Sequence, residues 1–155
     1  ISFNKQGEYN TAFGRNRSSF NPSLEKTFIK FIDKLNSIDI SFVNKDFRKI
    51  NIDNLNENDF VYCDPPYLIT CANYNKSWNE TNERDLLQLL DNLNKKGVRF
   101  ALSNVLENKG KSNDILKEWS KKYNIHYLNN TYGNCNYQTK DKSKNSTVEV
   151  LITNY

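Results

Sequence analysis

The feature that most constrains this chain is a short apolar run stopped by two prolines. Residues 59–63 (Asp-Phe-Val-Tyr-Cys) have strand propensity and lead directly into Asp64-Pro65-Pro66-Tyr67. A continuous run of this kind predicts a parallel strand buried on both faces. Proline has no backbone N–H to offer a ladder, so the strand has to end there. Pro66 also restricts Pro65 to an extended conformation, which holds the carbonyl of residue 65 rigid at the carboxyl end of the strand.

The flanking pattern predicts what surrounds this strand. Leu24, Phe28, Ile32 and Leu35 fall on one helical face, with a start signal at Pro22-Ser23. Ile40-Ser41-Phe42-Val43 reads as a short strand. Leu86, Leu87, Leu90 and Leu93 mark a second helix, with Thr81 or Asn82 as its cap. Gly97 sits just past its end, where a left-handed residue is wanted. Residues 98–102 read as a strand ending at Ser103-Asn104. Ile115, Leu116, Trp119 and Tyr123 mark a further helix, residues 125–128 a strand, and residues 148–152 a last strand after a polar, Lys-rich loop at 131–146. Residues 1–22 are polar with Phe3, Tyr9, Phe13 and Phe20 interleaved, as short strands or ordered loops would be. Strands alternating with helices predict an α/β fold, a doubly wound sheet with flanking helices. Ligands of such sheets bind beyond the carboxyl ends of the strands, where Asp64 and Ser103-Asn104 are expected.

Composition removes several classes. A 155-residue chain suits one domain or a large piece of one. With 37% hydrophobic residues it is too apolar to be disordered. The net charge of +4 permits a nucleic-acid partner without requiring one. Cys63, Cys71 and Cys135 lack metal-ligand spacing and His126 is the single histidine, so no metal and no disulfide framework are expected. No apolar run approaches the roughly 18 residues of a membrane helix, and no signal peptide is expected. A reduced, cytoplasmic protein is expected. The sequence begins at Ile1 and contains no Met, as a fragment, a processed product or an unusual start would.

The tetrapeptide places a carboxylate, a rigid carbonyl and an aromatic ring in consecutive positions. The exocyclic amine of a nucleobase delocalises its lone pair into the ring and is a poor nucleophile. Asp64 and the Pro65 carbonyl can accept its two protons and stabilise the positive charge that develops as it attacks. Tyr67 can stack on the base, a contact worth about 1–3 kcal/mol, against the few kcal/mol needed to flip a base out of a duplex. This chemistry needs no histidine base. A strand-ending turn without chemistry is the competing reading.

These residues resemble the Dam-like DNA adenine-N6 methyltransferase family. Phe60-Val61-Tyr62-Cys63-Asp64-Pro65-Pro66-Tyr67 is similar to its catalytic strand and loop. The segment from Asn4 through Gly7-Glu8-Tyr9-Asn10 to Phe13-Gly14-Arg15 resembles the Gly-Glu-aromatic-Asn-x-Pro-aromatic-Gly run at the end of its target-recognition region. Phe100-Ala101-Leu102-Ser103-Asn104 and Val148-Glu149-Val150-Leu151 resemble later strands. The resemblance implies a partial Rossmann-like fold of the S-adenosylmethionine-dependent methyltransferases. Residues 1–22 would close the target-recognition region and residues 23–155 form the C-terminal part of the catalytic domain. It further implies methyl transfer from S-adenosylmethionine to a flipped adenine in double-stranded DNA, for restriction–modification with a cognate restriction endonuclease or for strand marking. Asp64, Pro65, Pro66 and Tyr67 would be catalytic. Asn44-Lys45-Asp46-Phe47 resembles the segment that meets the cofactor's adenine, through Asp46 and Phe47, with Asp64 near its methionine end. Asn4, Lys5, Asn10, Arg15, Arg17 and Tyr74 would contact DNA or the target base, with Trp78 near Tyr74 and Lys140, Lys142 and Lys144 as further phosphate contacts.

The departures are informative. Ser2 and Ala12 stand where relatives often have Arg and Pro. Serine cannot read guanine bidentately as arginine does, so the family's GATC specificity is not carried over. The Gly-rich cofactor loop is absent from this chain. The first two strands of the family's sheet lie between the third and fourth, which residues 39–43 and 59–63 resemble. Without them both strands would lack neighbours for their backbone groups. Another segment, from a longer protein or a partner chain, is therefore expected, or else a rearranged sheet. A non-catalytic DNA-binding remnant or subunit of a split methyltransferase is the alternative, and methylation of protein glutamine or RNA a third.

Overall fold

The computed structural model describes residues 6–7, 21–70, 77–128 and 147–155. The chain divides into two compact units, Ile1–Asn44 and Lys45–Tyr155.

The first unit carries helix α1, Pro22–Asn36. Asn21 caps it by accepting from the Leu24 N–H at 2.9 Å, and Pro22 occupies the first turn, where its missing N–H costs nothing. Glu25 in the first turn and Lys34 in the last complement the helix dipole. The apolar stripe has the expected spacing, yet no residue of α1 is buried. The strand expected at 40–43 does not form, and Phe42 is 81% exposed. A strand needs a neighbour for its backbone groups, and these residues have none among the described residues.

The second unit is a mixed α/β body. Its strands are β1 (Phe60–Cys63), β2 (Arg99–Asn108), β3 (Lys111–Ser112), β4 (Asn124–Leu128) and β5 (Thr147–Thr153). They form a five-stranded sheet in the order β1-β2-β5-β4, with β3 on β2. β1 runs parallel to β2, and β5 runs antiparallel to both β2 and β4. Helices α2 (Glu80–Lys95) and α3 (Asp114–Ser120) flank the sheet. Leu86, Leu87, Leu90 and Leu93 of α2 and Leu116 of α3 join Phe100, Leu102, Val150 and Ile152 in one buried cluster. Each such side chain contributes about 1.5–3 kcal/mol on burial.

Several expectations are corrected here. β1 is not buried on both faces: Val61 and Cys63 pack on the core, while Phe60 and Tyr62 are 52% and 58% exposed. The alternation of a strand sends them to the face opposite the core cluster. Nor is β1 without a neighbour, since β2 pairs along one edge up to Cys63 opposite Leu102. β2 does not end at Ser103-Asn104. Antiparallel β5 carries it on to Asn108 opposite Thr147, with a bulge between Val105 and Glu107. Helix α2 is capped by Asn79, not Thr81 or Asn82: Asn79 has extended backbone and accepts from the Asn82 N–H at 3.0 Å. Gly97 ends the helix as expected, at φ +75°.

Helix α3 stops at Ser120, and Tyr123 lies beyond it. The Tyr123 hydroxyl donates to Asp91 Oδ1 at 2.8 Å, Trp119 Nε1 donates to the same oxygen at 2.9 Å, and Lys122 Nζ donates to Oδ2 at 2.7 Å. Burial pushes the Asp91 carboxyl up, but the bonds from Lys122, Tyr123 and Trp119 outweigh it and hold the group below its ordinary range. No helix among the described residues is long and apolar enough to cross a membrane. No cluster of His, Cys, Asp and Glu among them is suited to hold a metal.

Candidate active site

The strand end is organised by three side chains. The Tyr67 hydroxyl lies 3.1 Å from Asp64 Oδ1 and 3.2 Å from Ser103 Oγ. A carboxylate only accepts, so the single Tyr67 proton goes to Asp64 and Ser103 donates to the Tyr67 oxygen. The ring that ends the tetrapeptide is thus tied both to the carboxylate that begins it and to the neighbouring strand. Burial pushes the Tyr67 hydroxyl up to about 12; the bond from Ser103 works against this and the Asp64 charge adds to it. Tyr67 is therefore a proton donor throughout the neutral range.

The loop beyond is pinned as well. The Tyr67 carbonyl accepts from the Thr70 N–H at 3.1 Å and its hydroxyl at 3.0 Å. Asn108 Nδ2 of β2 donates to the Ile69 carbonyl at 3.4 Å. Asp64 is exposed and touches no cation among the described residues. Its second oxygen and the Pro65 carbonyl receive no hydrogen bond among those residues. Two unclaimed acceptors on adjacent residues therefore stand at the open end of a parallel strand. Pro66 is half-buried. The Cys63 thiol is pushed up to about 11 by burial. It stays protonated near neutral pH and belongs to the core rather than the chemistry.

Asp46 and Phe47 come together at a separate turn. Asp46 caps a 3-10 turn over Phe47–Lys49 by accepting from the Arg48 N–H at 2.9 Å. Arg48 Nη1 adds bonds of 3.2 and 3.0 Å to its two oxygens. The Arg48 backbone bond above all, with burial opposing, holds the Asp46 carboxyl below its ordinary range. Arg48 reaches on to Asp85 at 2.7 Å and Asn82 at 2.9 Å, which fastens the turn to α2. Its guanidinium lies over the Phe47 ring, 4.6 Å from the centroid. The Phe47 and Trp78 rings are 5.8 Å apart and tilted by 44°.

One polar hub was not foreseen. Glu83 in the first turn of α2 is fully buried. Its Oε2 accepts from Trp78 Nε1 at 2.7 Å, and its Oε1 from Asn113 Nδ2 at 3.0 Å and Asn104 Nδ2 at 3.2 Å. The sequence did hold a signal, because position 83 lies on the helical stripe of Leu86, Leu87 and Leu90. A charge on an apolar face asks for a buried partner.

Asn4, Lys5, Asn10, Arg15, Arg17, Tyr74, Lys140, Lys142 and Lys144 lie outside the described residues, as do Cys71, Cys135 and the loop at 131–146.

Residues 1–134 match the family described as D12 class N6 adenine-specific DNA methyltransferase, and the chain belongs to that family. It is 50% identical over 159 residues to the type II methyltransferase M.FokI of Planomicrobium okeanokoites, covering 99% of this chain and 24% of that protein. It is 45% identical over 161 residues to the modification methylase StsI of Streptococcus sanguinis, covering 99% and 24%. It is 32% identical over 161 residues to the modification methylase LlaI of Lactococcus lactis subsp. lactis, covering 100% and 24%. The chain thus spans about a quarter of the length of the relatives it matches.

Proposed function

We propose that the protein carrying this chain methylates the N6 amine of an adenine flipped out of duplex DNA, with S-adenosylmethionine as donor. When bound, the donor supplies an electrophilic methyl group on a sulfonium. The residues present fit it. The exposed Asp64 carboxylate suits the cationic methionine end. Arg48 and its N–H make three bonds to Asp46, and a carboxylate has about four lone-pair sites, so one remains for an adenine amine. Phe47, with the planar Arg48 guanidinium over it, offers a surface on which a purine stacks.

The carrying observation is the pair of unclaimed acceptors at Asp64 and Pro65 beside a tethered Tyr67. Asp64 and the Pro65 carbonyl accept the two amine protons. Both stabilise the positive charge that builds on N6, and the rigidity of two prolines means that no reorganisation is needed at that moment. Tyr67 stacks on the extruded base. No base acts beforehand, because the amine gives up its extra proton, to the Asp64 carboxylate and from there to solvent, only after the methyl group has arrived. Asn4, Lys5, Asn10, Arg15, Arg17 and Tyr74 are assigned to DNA and target base on resemblance.

We read the sheet as the C-terminal part of a doubly wound, Rossmann-like one, with residues 1–22 closing the target-recognition region and the Gly-rich cofactor loop supplied from outside this chain. Among the described residues β1 pairs along one edge only, and Phe60 and Tyr62 are exposed beside it. The span of about a quarter of the relatives supports the same reading. The modification methylases among those relatives favour a restriction–modification role in the cytoplasm, alongside a cognate endonuclease.

The test is transfer of a labelled methyl group from S-adenosylmethionine to unmethylated duplex DNA by the full-length protein, followed by nucleoside analysis. Label on adenine N6 is expected. Label on cytosine, or none on DNA, overturns the proposal.

A further inference from the structure

Glu83 is the one group in the hub whose burial demands an explanation. It is 0% exposed, and a buried carboxylate is costly unless its oxygens are bonded. Among the described residues no cation offsets it: its donors there are the neutral Trp78 Nε1, Asn104 Nδ2 and Asn113 Nδ2. Each donor belongs to a different element. Trp78 lies in the lead-in to α2. Asn113 caps α3 by accepting from the Leu116 N–H at 3.1 Å. Asn104 is in β2, next to Ser103. Successive strand side chains point to opposite faces, so the bond that holds Asn104 on the helix side also sets Ser103, and with it Tyr67, on the other. Trp78 in turn packs against Phe47.

We propose that Glu83 is a positioning residue that holds the Tyr67–Asp64 end of the site and the Phe47–Asp46 turn in fixed relation, and so sets cofactor affinity. This rests on the methyl-transfer reading above. The acceptor-only character of a carboxylate is what the position requires. An amide accepts at one end and donates at the other. Glu83→Gln keeps both asparagines only by turning its NH2 toward the Trp78 N–H, which sets two donors against each other. Trp78 then has to shift, and Phe47 with it.

The experiment compares Glu83→Gln, Trp78→Phe and the double variant in the full-length protein. S-adenosylmethionine affinity is read by calorimetry, DNA affinity by fluorescence anisotropy and stability by thermal melting. A buried donor left unsatisfied should weaken cofactor affinity about tenfold in Glu83→Gln and about threefold in Trp78→Phe, with DNA affinity changed by less than about twofold. The double variant should bind no worse than Trp78→Phe, because no N–H then opposes the amide. Wild-type cofactor affinity in Glu83→Gln overturns the inference, as does a double variant no better than Glu83→Gln. Parallel loss of cofactor affinity, DNA affinity and melting temperature marks a purely structural residue and also overturns it. Should Glu83→Gln not fold, Trp78→Phe decides alone: unchanged cofactor affinity rejects the inference. A wild-type protein that transfers no methyl group to adenine defeats the underlying reading, whereas one that transfers normally beside an unaffected Glu83→Gln defeats this inference only.

Discussion

The Tyr67 hydroxyl donates to Asp64 Oδ1 across 3.1 Å, so the tetrapeptide orients its own carboxylate. Ser103, 3.2 Å away, holds the same hydroxyl from the adjacent strand. The group read as stacking on the base and the group read as gripping its amine are therefore one mechanical unit. Moving either disturbs the other.

Removing only the hydroxyl separates these roles. Tyr67→Phe keeps the ring and loses the bond to Asp64. Single-turnover methylation by the full-length protein should slow about tenfold, the scale of one hydrogen bond to a charged group, with DNA affinity little changed. Ser103→Ala should cost less, since the Tyr67–Asp64 contact persists. Tyr67→Ala should cost most, because the stacking surface goes too. Equal rates for Tyr67→Phe and wild type would refute the orienting role.

The raised Tyr67 hydroxyl makes an alkaline prediction. Its folded value of about 12 exceeds the ordinary 10.0. Its contribution to stability is therefore complete below pH 10 and is lost as pH rises through 12. An ultraviolet difference titration of wild type against Tyr67→Phe should show this tyrosine ionising near 12. Ionisation near 10 would contradict the burial and bonding described.

Asp91 makes an acid prediction. Its carboxyl is held below the ordinary 3.8, so the stability it contributes is present above that value and falls away as pH drops below it. Asp91→Ala leaves Trp119 Nε1 and the Tyr123 hydroxyl without their acceptor and should cost about 2 kcal/mol in urea unfolding at neutral pH. It should also flatten the acid limb of stability against pH. A variant as stable as wild type would show that water replaces the carboxylate.

What was legible in the sequence was local. The spacing of Leu86, Leu87, Leu90 and Leu93, the stop at Pro65-Pro66 and the left-handed Gly97 depend on near neighbours, and each has its expected counterpart. What failed depended on distant partners. Residues 40–43 have strand-forming side chains but no strand to pair with among the described residues. The length of β2 is decided by β5, whose pairing reaches Asn108 opposite Thr147. The outer face of β1 looked buried because its composition is apolar, but burial depends on what covers it. The α2 cap was misplaced because Asn79 and Asn82 both have capping side chains, and the extended backbone at Asn79 decides between them. Within the site the tetrapeptide announced itself. The bonds from Ser103 to Tyr67 and from Asn104 and Asn113 to Glu83 join residues that are remote in sequence, and only folding brings them together.

On the proposed reading, Asp64 and the Pro65 carbonyl receive the target amine. The most direct measurement is the single-turnover rate of N6-methyladenine formation by the full-length protein, wild type against Asp64→Ala, with both cofactor and DNA saturating. A loss of at least about a hundredfold in rate is expected, the scale for removing one preorganised transition-state contact. An Asp64→Ala protein that methylates adenine at the wild-type rate would contradict it.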